Sequence, residues 1–479
     1  MLLTLTLVLG SALFGAAQQP QRTTLKPPMP GYGLVPALPR TPHSEVQTGI
    51  ALSAHLMRAP RDQDQRQVRI DWLRTHSARV QGVLPWPTGR EDFSDLAALG
   101  EAIQGKRIVT LGEASHSDGA AFQIKARLVR YLYQEHGFDL LVFESGLFDC
   151  DAAWRLALEG EPLEEVGLAA LQPVWSQSET VRELFAWMQD TLETDRPLQL
   201  AGMDLMPTSP YMGQAHGELL RIGTRLGLDA ELLAEGLEIL ANFPRGYQRS
   251  LGAGDEERGF QLAGMAEVAT ALRSAGRELP SKHALRERAE FHAQFLSSLG
   301  KAITMIALTD WSNPEGDSNL NLRDEQMAAN LQWLAQVAHP GRKILVWGAT
   351  SHLSRARHGL AVKSSLGMVP LGEHLARTMP GEVYHLGVSS YAGSIAGAAG
   401  GRPATLGAAA PGSLEELLHA AGLGAAFLDL RSEDPAAAWL SRDVSLRAMG
   451  HADVKGNWAQ ALDGLYFVDQ CLPVRPLAR

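Results

Sequence analysis

The sequence contains very little cysteine. Its 479 residues include only Cys150 and Cys471, so a disulfide framework and every CxxC metal or redox motif are excluded. In an oxidising compartment the two thiols could form one bond with each other. We favour the simpler interpretation that each is a small buried hydrophobic side chain.

Positive charge is also scarce. The chain has 43 Lys and Arg against 53 Asp and Glu, which gives a formal net charge of -10. No long run of Lys or Arg offsets this balance locally. Because phosphate backbones are bound by basic surfaces, we predict that nucleic acid is not a partner.

Several catalytic signatures are missing. There is no GxSxG nucleophile elbow, no HExxH zinc helix and no phosphate-binding glycine loop. The segment 393–397 (GSIAG) has its serine one place too early for an elbow. These absences argue against a serine-nucleophile hydrolase, and we predict no cofactor.

Long apolar runs are absent except at the N-terminus. Residues 2–17 (LLTLTLVLGSALFGAA) are uncharged, apolar and end in small side chains, which is typical of a secretory signal peptide, cleaved here near Ala17. A membrane anchor is the alternative, but it needs roughly 20 apolar residues. The proline-rich residues 18–42 predict an extended tether. We therefore expect a secreted or periplasmic protein without a stable membrane span in its mature form.

Short apolar runs, each about as long as a strand, recur along the rest of the chain and are separated by helical patterns. This alternation predicts an α/β fold with a mostly parallel sheet covered by helices on both faces. Between about residues 212 and 305 no strand pattern occurs, which predicts an inserted all-helical subdomain or lid. A segment rich in small residues, 392–412, is predicted to be a loop. The short apolar runs that predict strands are RIVTLGE, DLLVFES, LQLAGMD, KILVWGA, EVYHLGV, AAFLDLR and LYFVDQ. The predicted divisions are 1–17 signal peptide, 18–42 tether, 43–211 first part of the α/β core, 212–305 helical insertion and 306–479 second part of the core.

Ionisable residues follow the ends of four predicted strands. Glu113 ends the first strand, with His116 just beyond it; Glu144 and Asp204 end the second and third; the fourth runs into His352. In a parallel sheet, ligands bind beyond the carboxyl ends of the strands. We therefore expect three carboxylates and two histidines to converge on one edge of the sheet.

Two predicted helices carry polar residues on their apolar faces. Lys125 interrupts the face of the helix after LGEASH, and a buried lysine needs a partner, which Glu113 or Glu144 could supply. Arg323 and Asn330 interrupt another apolar face in NLNLRDEQMAANLQWLAQVA. Both could instead lie at the helix edge with only their stems buried.

The segment 107–149 (RIVTLGEASHSDGAAFQIKARLVRYLYQEHGFDLLVFESGLFD) resembles the signature of the erythromycin esterase family. So do GMD at 202–204 and NLRDEQMAANLQWL at 321–334. These landmarks belong to a resemblance that spans most of the chain, from about Arg107 to Leu472. The LGExxH element alone is shared by a wider superfamily, whereas the ordered set is much more specific.

The resemblance implies a hydrolase in which a histidine activates water, without a metal or a covalent intermediate. The substrate is expected to be a small-molecule ester or lactone. By motif position His116 is the general base, Glu113 and Glu144 orient or polarise it, and His352 contacts substrate or water. The predicted substrate-binding residues are Lys125, Asp204, Arg323 and Asn330. Lys125 or Arg323 could stabilise the oxyanion formed during attack on a carbonyl.

The sequence departs from the family pattern at three positions. The family usually has an arginine where Lys125 stands, a second histidine at Ala349, and a glutamate at Ala120. The changes at Ala349 and Ala120 are expected to affect macrolide lactone hydrolysis more than the fold.

Two alternatives remain open at this point. Secreted metalloproteases of the superfamily use a similar GExxH element, and histidines with carboxylates can bind a divalent ion as well as activate water. A haem-uptake group also shares the fold, so a non-enzymatic binding protein for haem or another small molecule is the other alternative.

Overall fold

The computed structural model describes residues 64–83, 86, 89, 91–207, 209–241, 243–310, 312, 318–362, 367–397, 402–442 and 444–477. The predicted signal peptide and tether lie outside these residues. The chain forms two compact units, Met1–Trp72 and Leu73–Arg479. Of the first unit, residues 64–72 are described, and they are helical. The central sheet and its helices belong to the second unit.

A nine-stranded sheet lies at the centre of the second unit. Six neighbouring strands are parallel, in the order β11-β6-β2-β5-β3-β4, while β8 and then β1 extend the β11 edge in antiparallel pairings and β7 pairs with β6. A separate two-stranded sheet consists of β9 and β10. The strands are β1 (Ala78–Arg79), β2 (Ile108–Glu113), β3 (Leu140–Gly146), β4 (Gln199–Asp204), β5 (Ile344–Ala349), β6 (Val383–Ile395), β7 (Ala404–Leu406), β8 (Ala425–Asp429), β9 (Val444–Leu446), β10 (Val454–Gly456) and β11 (Gly464–Cys471).

Helices connect the strands. They are α1 (Ala97–Ala102), α2 (Gly119–His136), α3 (Leu147–Leu158), α4 (Leu163–Ala170), α5 (Pro173–Ser176), α6 (Glu179–Thr191), α7 (Met212–Arg225), α8 (Ala230–Gly236), α9 (Arg245–Gly252), α10 (Asp255–Arg277), α11 (Ala284–Leu308), α12 (Asn321–Trp333), α13 (Thr350–Leu353), α14 (Leu371–Thr378), α15 (Leu414–Ala420) and α16 (Trp458–Ala461).

Both faces of the sheet are buried. Alternate residues of one strand belong to different hydrophobic clusters: Leu141 and Phe143 of β3 pack in one, Leu140 and Val142 in the other. This division follows from the period of two in a strand. Every residue of β2, β3 and β5 is buried, which explains why their sequences are continuous apolar runs. The predicted α/β fold with a mostly parallel, helix-covered sheet is confirmed.

The described residues between α7 and the end of α11 contain helices and turns, and their apolar side chains form a third cluster that also includes Phe148 of α3. No boundary between compact units falls at 211/212 or 305/306. The predicted domain ranges therefore stay a prediction. Within the described part of the chain, no helix has the length and apolarity that crossing a membrane requires.

The predicted loop 392–412 is wrong over part of its length. β6 continues to Ile395, and its last residues pair with β7 in register Gly393 to Leu406. Gly393 has φ 130°, and a Cβ there would lie 2.3 Å from the carbonyl oxygen of Cys471. The small residue at this position therefore allows β6 and β11 to approach each other closely. Cys471 and Cys150 are both buried and free, so they do not form a bond.

Candidate active site

The carboxyl ends of β2, β5, β3 and β4 meet at one edge of the sheet. Glu113 pairs in register with Ala349, and Gly146 with Asp204. β5 is inserted between β2 and β3 although it follows β4 in the chain, so the strand order changes direction here. Such a change is the usual place for a ligand crevice in an open parallel sheet.

His116 lies in the loop between β2 and α2, beside the last residue of β2. Its Nδ1 is 2.8 Å from Oε1 of Glu113. The Glu113 side chain is fully buried, whereas the imidazole is 17% exposed. The indole of Trp175 contacts the imidazole edge-on, with ring centroids 4.9 Å apart, and its Nε1 donates a hydrogen bond to Glu113 Oε1 over 2.9 Å. A buried carboxylate therefore orients an imidazole that reaches the surface.

Lys125 of α2 lies on the inner side of Glu113. Its ammonium group donates to Glu113 Oε2 and, over 3.3 Å, to the carbonyl oxygen of Gly348. It also lies 4.3 Å from the centroid of the Trp347 ring. Burial lowers the pKa of Lys125 to about 8, although the Glu113 charge opposes that shift. The side chain has no exposed surface, so its observed contact is with Glu113, not with the open edge where a substrate would bind.

Arg323 of α12 joins the carboxylates of two strands. Its Nη2 donates to Glu144 Oε1 over 2.9 Å and to Asp204 Oδ2 over 2.6 Å. Gln172 donates a further hydrogen bond to the same oxygen of Asp204 over 2.8 Å. Burial acts to lower the pKa of Arg323, but the charges of Asp204 and Glu144 outweigh it and raise that pKa. The Arg323 side chain is 14% exposed, so it is paired without being fully enclosed.

Glu144 is held as a carboxylate. Its Oε2 accepts the Ala349 backbone N–H over 3.0 Å. Burial acts to raise its pKa, but the charges of His352, Arg323 and His116 outweigh burial, and the pKa of Glu144 falls to about 2. Glu144 thus lies within electrostatic reach of both histidines of the site.

His352 of α13 faces Glu144 from the end of β5, with Nε2 3.5 Å from Glu144 Oε1. Its Nδ1 lies 2.8 Å from Asp324 Oδ1. Burial acts to lower the pKa of His352, but the charges of Asp324 and Glu144 outweigh burial and raise it above its usual value.

The structure places seven of the eight predicted site residues at this edge or directly beneath it, in two groups. One group surrounds Glu113, and the other surrounds Glu144 and Arg323. Asn330 belongs to neither: its side chain is fully buried and hydrogen-bonds to Gln294, Gln326, Ser298 and the Met203 carbonyl. The structure therefore places Asn330 in the packing between helices and β4, away from the open edge.

Sequence reasoning missed three residues of the site. Trp175 and Gln172 lie in and before α5, a short helix without apolar periodicity, so nothing in the pattern marks them. Asp324 is adjacent to Arg323 in the motif NLRDEQ, and its position beside a polar intrusion was the available signal. Among the described residues, no group of three or more His, Cys, Asp or Glu side chains is arranged to hold a metal ion.

The chain is similar in sequence to an erythromycin esterase and to a protein provisionally named a hydrolase. The sequence profile of the erythromycin esterase family matches residues 133–471, which include Glu144, Asp204, Arg323 and His352 but begin after His116. YbfO of Bacillus subtilis (strain 168), provisionally named a hydrolase, is 24% identical over 421 residues, 84% of this chain and 91% of YbfO. Erythromycin esterase type I of Escherichia coli is 24% identical over 302 residues, 60% of this chain and 70% of that protein.

Solved structures share the fold. A Bacillus cereus protein superposes with a TM-score of 0.71 at 19% identity, covering 86% of this chain and 99% of that one. A succinoglycan biosynthesis protein gives 0.68 at 17% identity, covering 85% and 98%. A mutant of the erythromycin esterase EreC in its open conformation gives 0.59 at 19% identity, covering 80% and 95%. At these identities the likeness concerns the fold alone.

Proposed function

This chain belongs to the erythromycin esterase family, and from that membership we propose that it hydrolyses a small-molecule carboxylic ester or lactone with water activated by His116. Family membership supports an esterase-like hydrolase. The histidine mechanism, the independence from metal and the ester or lactone substrate are our proposals.

One observation carries the mechanism: the 2.8 Å contact between His116 Nδ1 and a fully buried Glu113, with the imidazole itself partly exposed. A carboxylate at Nδ1 fixes the proton there and leaves Nε2 as the basic nitrogen directed at the site. General-base catalysis requires this arrangement, a positioned imidazole within reach of water.

In the proposed reaction, the water oxygen attacks the carbonyl carbon while His116 Nε2 takes one of its protons. The carbonyl electrons move to the oxygen, and the tetrahedral oxyanion needs nearby positive charge. Arg323 is suited to this role because its side chain is 14% exposed and its guanidinium is always protonated, whereas the Lys125 side chain has no exposed surface. When the C–O bond breaks, the leaving alkoxide takes the proton from His116, and the products are a carboxylic acid and an alcohol.

The hydrogen bonds around Glu113 support a route without metal. One oxygen accepts from Trp175 and faces His116, and the other accepts from Lys125. Nitrogen donors therefore already occupy the carboxylate that a divalent ion would use.

A panel of esters assayed with and without chelator tests the proposal. The panel contains nitrophenyl esters of increasing acyl length, simple lactones and a macrolide. We expect at least one substrate to be hydrolysed at the same rate in EDTA. Activity lost on chelation and restored by Mn²⁺ or Co²⁺ would contradict the metal-free mechanism. No hydrolysis, together with a Soret band on haem addition, would support a binding protein instead.

A further inference from the structure

Asp324 is a buried carboxylate that the proposed chemistry does not use directly. Its side chain is 1% exposed, and it connects three elements. From α12 it contacts His352 Nδ1 of α13, at 2.8 Å through Oδ1 and 3.0 Å through Oδ2. Oδ1 also accepts the backbone N–H of Leu371, the first residue of α14, over 2.9 Å. A carboxylate held by a backbone donor has a fixed orientation.

The neighbours of His352 together define which nitrogen carries its proton. Nη1 of Arg323 lies 3.1 Å from His352 Nε2. A guanidinium can only donate, so Nε2 is the acceptor in this contact. Asp324, as a carboxylate, can only accept, so Nδ1 carries the proton. Both partners require the same tautomer.

We propose that Asp324 is a positioning residue that holds His352 in the Nδ1–H tautomer, with Nε2 directed at the same site as His116. The inference rests on the proposed function only where it concerns turnover; the tautomer follows from the contacts. The arrangement repeats that of His116, whose Nδ1 also faces a buried carboxylate, Glu113. The site then contains two oriented imidazoles, both within electrostatic reach of Glu144.

Asp324 also favours a second proton on His352. The charged groups that face the imidazole are Asp324 and Arg323 from α12 and Glu144 from β3; Arg357 acts on Asp324 from the loop after α13. A proton on Nε2 must replace the Arg323 hydrogen bond and face Glu144 Oε1 at 3.5 Å. The two carboxylates stabilise the resulting imidazolium, and Arg323 opposes it.

Asp324→Asn tests this role with little change in volume. The amide oxygen is expected to keep the Leu371 N–H in the place of Oδ1, so the amide NH₂ takes the place of Oδ2, 3.0 Å from His352 Nδ1. The variant thereby removes the negative charge beside Nδ1 and sets a donor against its proton, which weakens the preference for the Nδ1–H tautomer. We expect kcat to fall by about 10²-fold, as for a misplaced catalytic group, while KM changes less. The acidic limit of the pH profile assigned to His352 should move to lower pH by at least about one pH unit, because the negative charge that favours its second proton is lost.

Glu325→Gln is the matched control, because Glu325 is the next residue on α12 and its side chain is 52% exposed. It should leave kcat, KM and the pH profile unchanged. ¹⁵N NMR of protein labelled with ¹⁵N-histidine measures the tautomer in the wild type without any assay of activity. The signals that disappear in His352→Gln are assigned to His352. We expect protonated Nδ1 and unprotonated Nε2 in the neutral form of His352, at pH values above its titration.

An Nε2–H tautomer in the wild type would overturn the inference even if Asp324→Asn does not fold. A folded Asp324→Asn protein with unchanged kcat and pH profile would overturn it as well. If no ester is hydrolysed, the proposed function fails, but the tautomer and the titration of His352 still decide whether Asp324 positions that imidazole.

Discussion

At the residue scale, the two glutamates of the site have different partners. Glu113 faces Lys125, Trp175 and His116, and the lysine balances its charge. Glu144 faces Arg323 and the Ala349 N–H. Because Lys125 offsets the Glu113 charge, that carboxylate can orient His116 without an unbalanced negative charge in the protein interior. Each glutamate therefore has a separate role, although both end parallel strands.

Replacing His116 by alanine should remove activity and preserve the fold. A positioned base contributes about 10²–10⁴-fold to the rate, so His116→Ala should lose at least that factor. His116→Asn should lose as much, because an amide accepts no proton at neutral pH. Turnover per folded molecule and the melting temperature are measured on the same preparations.

His76→Ala is the control for this experiment, since His76 also lies near a carboxylate, 3.6 Å from Asp434, but at an exposed position. It should retain full turnover. A folded His116→Ala protein with wild-type turnover would end the mechanism proposed for this site.

Replacing Lys125 by methionine should destabilise the protein strongly. The thioether would leave the buried Glu113 carboxylate without its ammonium partner, and breaking a buried pair costs about 3–5 kcal/mol. Lys301→Met is the comparison, because Lys301 and Glu325 form an exposed pair at 3.5 Å and such pairs contribute about 0–1 kcal/mol. Urea unfolding measures both. Combining Lys125→Met with Glu113→Gln should recover much of the loss; a Lys125→Met protein as stable as the wild type would show that the pair is not needed for stability.

At the scale of elements, the strand ends were predictable and the connecting segments were not. Glu113, Glu144 and Asp204 follow apolar runs long enough to identify strands, and the parallel arrangement then places them at one edge. Trp175 reaches the same edge from a four-residue helix. Its position depends on the packing of α5 between neighbouring helices, which no local pattern encodes. Asn330 shows the converse error. Its polar side chain on an apolar helix face predicted a site residue, but it belongs to a buried hydrogen-bond network.

Asp118 caps α2, the helix that carries Lys125, and its burial predicts a pH effect on stability. Its Oδ1 accepts the Ala121 N–H over 3.1 Å. Burial raises its pKa to about 7, against backbone hydrogen bonds that lower it. Between pH 4 and 7 the unfolded chain has released a proton that the folded state still holds, so the wild type loses stability as pH rises. Asp118→Asn keeps an acceptor for the Ala121 N–H and avoids this loss of stability. For a pKa raised that far, the loss has an upper limit of about 4 kcal/mol.

Urea unfolding at pH 4, 5.5 and 7 measures the difference between Asp118→Asn and the wild type, which should increase with pH in favour of the variant. Asp229→Asn provides the comparison. Asp229 is an exposed cap of α8 that accepts the N–H groups of Glu231 and Leu232, and no similar trend is expected there because its charge stays in water. A constant difference at Asp118 across the three pH values would contradict the prediction.

At the scale of the whole molecule, the long strands were predictable and the short ones were not. All seven apolar runs are strands of the sheet. β1, β7, β9 and β10 contain only two or three residues, too few to show a period of two. They exist because a neighbouring strand offers unpaired backbone groups, and that neighbour is known only after the chain has folded.

We propose that the protein is exported and that its mature chain begins near Gln18. The uncharged apolar run 2–17 supports this proposal. Leu7→Arg combined with Val8→Arg should block export, since each arginine costs roughly 2.5–3.5 kcal/mol in a membrane-inserted segment. Leu25→Arg, which makes the same substitution in the predicted tether, should leave export unchanged. Fractionation and N-terminal sequencing measure both results. Wild-type protein that keeps Met1 and stays in the cytoplasm would contradict the proposal, and so would exported protein from the double arginine variant.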